Sequence, residues 1–147
     1  MKFRIDGKLN IRSTLEKTYA ALTNPEFMAT CIPDMQSYDV LDSDHFNAKV
    51  RVGIGIVRGV VDMKFELREK VPSTHAKLVG DGSGAGSKMH IDSVFDLSAL
   101  EASTNMAWAA DTDLSGLMAG IGGPILKGQS EKQVARIFQN VRAKLES

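Results

Sequence analysis

The sequence lacks most of what would announce a specific chemistry. Cys31 is its only cysteine. No intrachain disulfide and no cysteine-based zinc site can form, and a reducing, cytoplasmic setting is the expectation. No stretch approaches the ~18 apolar residues of a membrane-spanning helix. The longest weakly polar run, Leu117 to Leu126, is short and rich in glycine. The N-terminus, Met1 to Asp6, alternates apolar and polar residues and has no signal-peptide core. Net charge is also missing, with 18 basic against 18 acidic residues. That balance argues against nucleic-acid binding or an anionic-membrane surface as a property of the whole chain, while leaving room for a local patch. Repeats and low-complexity linkers are absent apart from two glycine runs.

What is present is ordinary soluble composition, 43% hydrophobic and 24% charged over 147 residues, enough for one domain with a real core. Phe3, Ile5, Gly7, Leu9 and Ile11 alternate with polar residues, the period of a strand with one wet face. Ser13-Thr14-Leu15-Glu16 offers a helix cap, and Leu15, Tyr19 and Leu22 follow at helical spacing. Pro25 after Asn24 opens a second short helix that ends before Pro33. A series of strands then runs from Met35 to Leu114. Gly53 to Gly59 and Gly80 to Gly86 are expected to break it as loops. Beyond Pro124 the period changes. Val134, Ile137, Phe138, Val141 and Leu145 form one stripe on a helix of roughly 20 residues, about 30 Å long.

The order strand, two short helices, about six strands and one long helix predicts an α+β helix-grip fold. A curved antiparallel sheet of about seven strands wraps around the C-terminal helix. A helix fills only part of a concave sheet, so an apolar cavity between them is expected. Its lining is assigned from the inward phase of each strand: Phe46 and Val50, Met63 and Phe65, then Met89, Ile91 and Phe95, then Met106 and Trp108. Met118, Ile121 and Phe138 complete it from the helical end. Seven methionines suit an adaptable pocket. Gly120, Gly122 and Gly123 precede the long helix and weaken its first turn, which makes them the expected gate.

Polar candidates are weak by comparison. The glycine run 80–86 fails as a P-loop because Ser87 precedes Lys88, and as a dinucleotide motif because a strand follows it. No cofactor is therefore expected. His45, His75 and His90 each fall on the outward phase without a neighbouring ligand, which reads as surface histidine and leaves no metal site. Asp111 and Asp113 share the outer face of the last strand and read as solvated carboxylates. Cys31 reads as a small buried apolar residue.

Several short motifs occur in a telling order: Asn24-Pro25, Cys31-Ile32-Pro33, Ala48 to Gly53, Gly80 to Gly84, Leu114 to Gly122, and Phe138 to Arg142. In these the sequence resembles the CoxG family of carbon monoxide dehydrogenase subunits, within the START-like superfamily. Asp34 departs from the glycine usual after the proline of that pattern, a change confined to a turn. Many relatives continue into a linker and a C-terminal membrane anchor, whereas this sequence ends at Ser147, so the resemblance implies a soluble, anchorless member. It also implies association with a molybdenum hydroxylase such as carbon monoxide dehydrogenase, and non-enzymatic binding of a lipid- or quinone-like molecule. The alternatives are a cyclase- or hydrolase-like enzyme, which needs a polar cluster inside the cavity, and a protein–protein adaptor with a solid core. The oligomeric state, a homodimer included, is left open.

Overall fold

The computed structural model describes residues 1–146. Seven strands form one antiparallel sheet: β1 (Lys2–Ile11), β2 (Met35–Val40), β3 (His45–Ile54), β4 (Val57–Val71), β5 (His75–Gly84), β6 (Ser87–Leu100) and β7 (Ser103–Gly116). Their order is β1-β7-β6-β5-β4-β3-β2, a meander from β2 to β7 closed by the first strand. Two short helices, α1 (Leu15–Leu22) and α2 (Pro25–Cys31), connect β1 to β2. A short 3-10 turn, Leu117–Ile121, leads into the long helix α3 (Gly123–Leu145). This is the helix-grip architecture expected from the alternation.

Local sequence explains the helix starts. Thr14 caps α1 by accepting from the Lys17 amide, and Asn24 Oδ1 accepts from the Glu26 and Phe27 amides at 3.0 and 3.4 Å. Pro25 opens α2, where an amide donor has no partner to lose. The start of α3 has no such device. Its cap is Gly122, at φ +107°, with no side chain to accept from the first turn.

The glycine runs correct the expectation of loops. β3 and β4 are joined by a two-residue turn, Gly55-Ile56, and β5 runs through Gly80 and Gly82 to Gly84. These glycines are strand residues on the concave face. A Cβ on Gly80 would lie 3.0 Å from the Phe65 ring, and one on Gly82 would lie 2.4 Å from the Met63 sulfur. Large side chains of β4 therefore fold over bare backbone in β5. Trp108 lies over Gly7 in the same way.

Two packed clusters sit at opposite ends of the concave face. One gathers Ile11, Leu22, Cys31, Phe95, Leu97 and Met106 beneath Val141 and Leu145 of α3. The other gathers Val57, Val61, Met63, Leu114 and Met118 beneath Leu126. Val141 and Leu145 are buried, each a contribution of about 1.5–3 kcal/mol. α3 thus spans the concave face from one cluster to the other.

Candidate functional site

The register of the sheet fixes what faces the helix. Residues paired across an antiparallel ladder share a face. Following the pairs gives one inward row across the middle: Phe46, Phe65, Gly80, Ile91, Thr112 and Phe3. The next row is Leu67, Leu78, Ser93, Ala110 and Ile5. These rows lie between the two clusters, where a filled core would bury every side chain. Yet Phe3, Phe65, Leu78, Ile91 and Ser93 are only half-buried. So are Val134, Ile137 and Phe138, which α3 presents from its middle. Half-buried apolar side chains therefore border the fully buried members of both clusters, Phe3, Phe65 and Ile91 against one and Trp108, Ile137 and Phe138 against the other.

The expected lining residues divide along this line. Val50, Phe65, Met89, Ile91, Trp108, Ile121 and Phe138 are half-buried. Met63, Phe95 and Met118 are buried in the clusters, and Phe46 and Met106, each 1% exposed, are sealed within the packed core. Phe46 stacks on Phe65 with ring centroids 4.8 Å apart, and Trp108 meets Phe138 at 5.5 Å with the rings tilted by 55°. Sequence reasoning missed Phe3, Leu78 and Thr112. Phe3 and Leu78 stood on the inward phase of their strands, but only the register shows that they reach the central rows. Thr112 was passed over in favour of its acidic neighbours.

The polar content of this face is small. From Ser87 to Leu97 on β6 and Thr104 to Leu114 on β7, the inward positions carry only hydroxyls and the Trp108 indole N–H besides apolar groups. Ser93 donates to the Leu78 carbonyl at 2.7 Å, Thr104 donates to the Ser13 carbonyl at 2.9 Å, and Ser87 accepts from the Met118 amide. No inward position of the seven strands in the paired rows carries Asp, Glu, His, Lys or Arg.

The two halves of α3 are held differently. Asn140 donates to the Cys31 carbonyl at 2.9 Å, Arg142 donates to the Asn10 carbonyl at 2.7 Å, and Arg136 pairs with Asp34 at 2.9 Å. Among the described residues, no side-chain hydrogen bond or ion pair ties residues 123–132 to the sheet. Leu126 is the only buried side chain there. Behind this half lie the expected gate glycines. Neither Gly120 nor Gly122 has an atom within 4 Å of where a Cβ would stand.

Ionisable groups cluster instead on the convex face. Each histidine bridges two carboxylates: His45 with Asp42 and Glu66, His75 with Asp96 and Glu69, His90 with Asp81 and Asp92. The hydrogen bonds accepted by Asp42, Asp96 and Asp81 raise the three imidazoles above their ordinary range. Asp111 pairs with Arg4 at 3.0 Å, and Asp113 lies 3.7 Å from the N-terminal amine. Cys31 is fully buried, and that burial pushes its thiol up, away from reactivity. Among the described residues, no group of three or more His, Cys, Asp or Glu side chains is placed to hold a metal ion.

A curved sheet gripping a long helix is the START-like class, and solved structures bear out that fold. A conserved protein from Geobacillus kaustophilus superposes with TM-score 0.89 at 23% identity, covering 98% of this chain and 95% of that one. A START superfamily protein from Mycobacterium smegmatis matches with TM-score 0.75 at 11% identity, over 97% of each chain. The Zhui aromatase/cyclase from Streptomyces sp. R1128 matches with TM-score 0.70 at 10% identity, over 99% of this chain and 94% of that one. No curated protein matches the sequence significantly. The chain belongs to the carbon monoxide dehydrogenase CoxG family, which it matches over residues 7–146. No helix among the described residues is long and apolar enough to cross a membrane.

Proposed function

We propose that this protein binds a small apolar molecule, lipid- or quinone-like, between the sheet and α3. In this role it serves as a non-catalytic accessory factor to a molybdenum hydroxylase of the carbon monoxide dehydrogenase kind. The observation that carries the reading is the half-burial of Phe65, Leu78, Ile91, Trp108 and Phe138 on the apolar concave face, Phe65 and Ile91 bordering one cluster and Trp108 and Phe138 the other. An apolar site with few polar groups is the usual form of a small-molecule pocket. Its hydroxyls and carbonyls suit orientation of a ligand better than general acid–base chemistry, which needs a positioned titratable group. Family membership supports the accessory role. The weakly tethered first half of α3, with Gly120, Gly122 and Gly123 behind it, is the proposed gate.

Native mass spectrometry of gently purified protein, followed by denaturing extraction, tests this. A bound apolar compound at one per chain is the expected result. Repeated recovery of empty protein that also takes up no added lipid or quinone would overturn it.

A further inference from the structure

The two ends of this neutral chain differ in charge. Segments 47–61, 82–89 and 114–130 build one end of the sheet together with the start of α3. They contain Lys49, Arg51, Arg58, Lys88 and Lys127 and no acidic residue. The turns at the other end, 39–45, 69–74 and 98–103, contain Asp39, Asp42, Asp44, Glu69 and Glu101 against Lys70 and His45, and the end of α3 adds Arg142 and Lys144 against Glu146. Among the described residues none of the five basic side chains forms an ion pair. At the acidic end, by contrast, Asp42, Asp44 and Glu69 are all paired.

Exposed aliphatic side chains stand among these cations. Ile56 occupies the tip of the β3–β4 turn and is 99% exposed, with Leu117 at 64% and Ile125 at 54%. A two-residue hairpin turn calls for glycine, asparagine or aspartate, and Gly55 at φ +59° meets that demand. Nothing in the fold calls for isoleucine beside it. Their chain neighbours Val57, Met118 and Leu126 pack in one cluster, which puts the three at the same end of the fold. Gly59 of β4 sits against Ala85 in the next turn, whose neighbour Gly86 lies against Leu117. Beside the tip, Arg51 and Arg58 line a depression of about 430 Å³ together with Asp34, Gln36, Gly53 and Gly59. Arg51 is opposite Val60 and Arg58 is opposite Gly53, so the two guanidinium groups are diagonal neighbours on one face. The one acid at this depression, Asp34, is paired with Arg136.

The acidic end also exposes aliphatics, Leu41, Val71 and Leu100, so apolar exposure alone does not distinguish the ends. Charge does. We infer that the basic end docks on an anionic phospholipid surface, with Ile56, Leu117 and Ile125 in the apolar boundary and Arg51 and Arg58 on a lipid phosphate. Arginine suits phosphate through its planar fork, and aliphatic side chains among bases are the usual composition of an interfacial anchor. The inference rests on surface chemistry alone and is independent of what the interior binds.

Co-sedimentation with vesicles tests it, using phosphatidylcholine alone and phosphatidylcholine with about 30 mol% phosphatidylglycerol. The full chain is expected to pellet with the anionic vesicles at low salt, to stay in solution with the neutral ones, and to be released as salt rises. Ile56→Asp is expected to weaken binding by about tenfold or more. Arg51→Gln and Arg58→Gln are each expected to weaken it by about fivefold. Leu100→Asp, the same kind of change at the acidic end, leaves binding as it was. These are surface positions, so circular dichroism should show unchanged folding. The inference is overturned if the wild-type chain stays in the supernatant, as it would if the basic end met an acidic protein instead. It is equally overturned if Leu100→Asp costs as much binding as Ile56→Asp.

Discussion

Leu126→Ala separates a hinged helix from a rigid one. Leu126 is 2% exposed and packs with Val61, Met63, Leu114 and Met118. Truncating a buried leucine costs about 2–5 kcal/mol, depending on how far the site collapses. Among the described residues no other side chain in 123–132 is buried or bonded to the sheet, and Gly122 has no side chain to cap the first turn. The loss therefore falls on local opening of this half rather than on global unfolding. A loss of about 3 kcal/mol corresponds to a population change of about 10²-fold. Hydrogen exchange followed by mass spectrometry reads it directly. Amides in 126–132 should exchange about 10²-fold faster in the variant, while those in 136–145, tied through Asn140, Arg142, Val141 and Leu145, should change little. Equal acceleration along the whole helix would show that α3 opens as one unit, and the gate would be refuted.

Three further outcomes follow from the geometry. Gly84→Ala places a Cβ 2.2 Å from the Val60 carbonyl oxygen at φ +140°, so it should destabilise by more than about 2 kcal/mol, whereas Gly53→Ala, with nothing within 4 Å, should stay within about 0.5 kcal/mol by urea unfolding. Thr18 is fully buried with its hydroxyl unpartnered, so Thr18→Val should raise stability by about 1 kcal/mol, and a loss of that size would mean the hydroxyl has a partner in solution. The three histidines are raised above 6.5 by their carboxylates, so their stabilisation is full below about pH 6.5 and declines as pH rises through the raised values. Urea midpoints should accordingly fall across that window, and a triple His→Gln variant should flatten the trend; a midpoint that rises with pH would contradict the sign.

The fold was legible because alternation in Phe3–Ile11, Phe46–Val52 and Met89–Leu97 left one consistent apolar face, and the stripe Val134–Leu145 needed a concave partner. Glycine misled. Gly80 and Gly82 read as a loop because they bear no side chain, yet that is why Phe65 and Met63 can lie across β5. The histidines looked isolated along the chain because their partners stand on neighbouring strands, where only the register joins His45 to Glu66 and His75 to Asp96. The candidate site was legible in part for the same reason. Strand phase identifies which residues face inward, but Phe46 and Ile91 share one row and differ in burial, which depends on where α3 crosses the sheet. The charge balance of 18 against 18 likewise hid two oppositely charged ends, because the balance is set over the chain and the ends by its topology.

The apolar interior site can be tested with the protein's single tryptophan. Trp108 stands on the inward face, over Gly7 and beside Phe138. Titration with a short-chain quinone while following Trp108 fluorescence should give saturable quenching at one site per chain. Ile91→Phe, which fills the centre of the face, should weaken that quenching while leaving the fold intact. Quenching that rises linearly without saturation, and that Ile91→Phe leaves unchanged, would contradict an interior site.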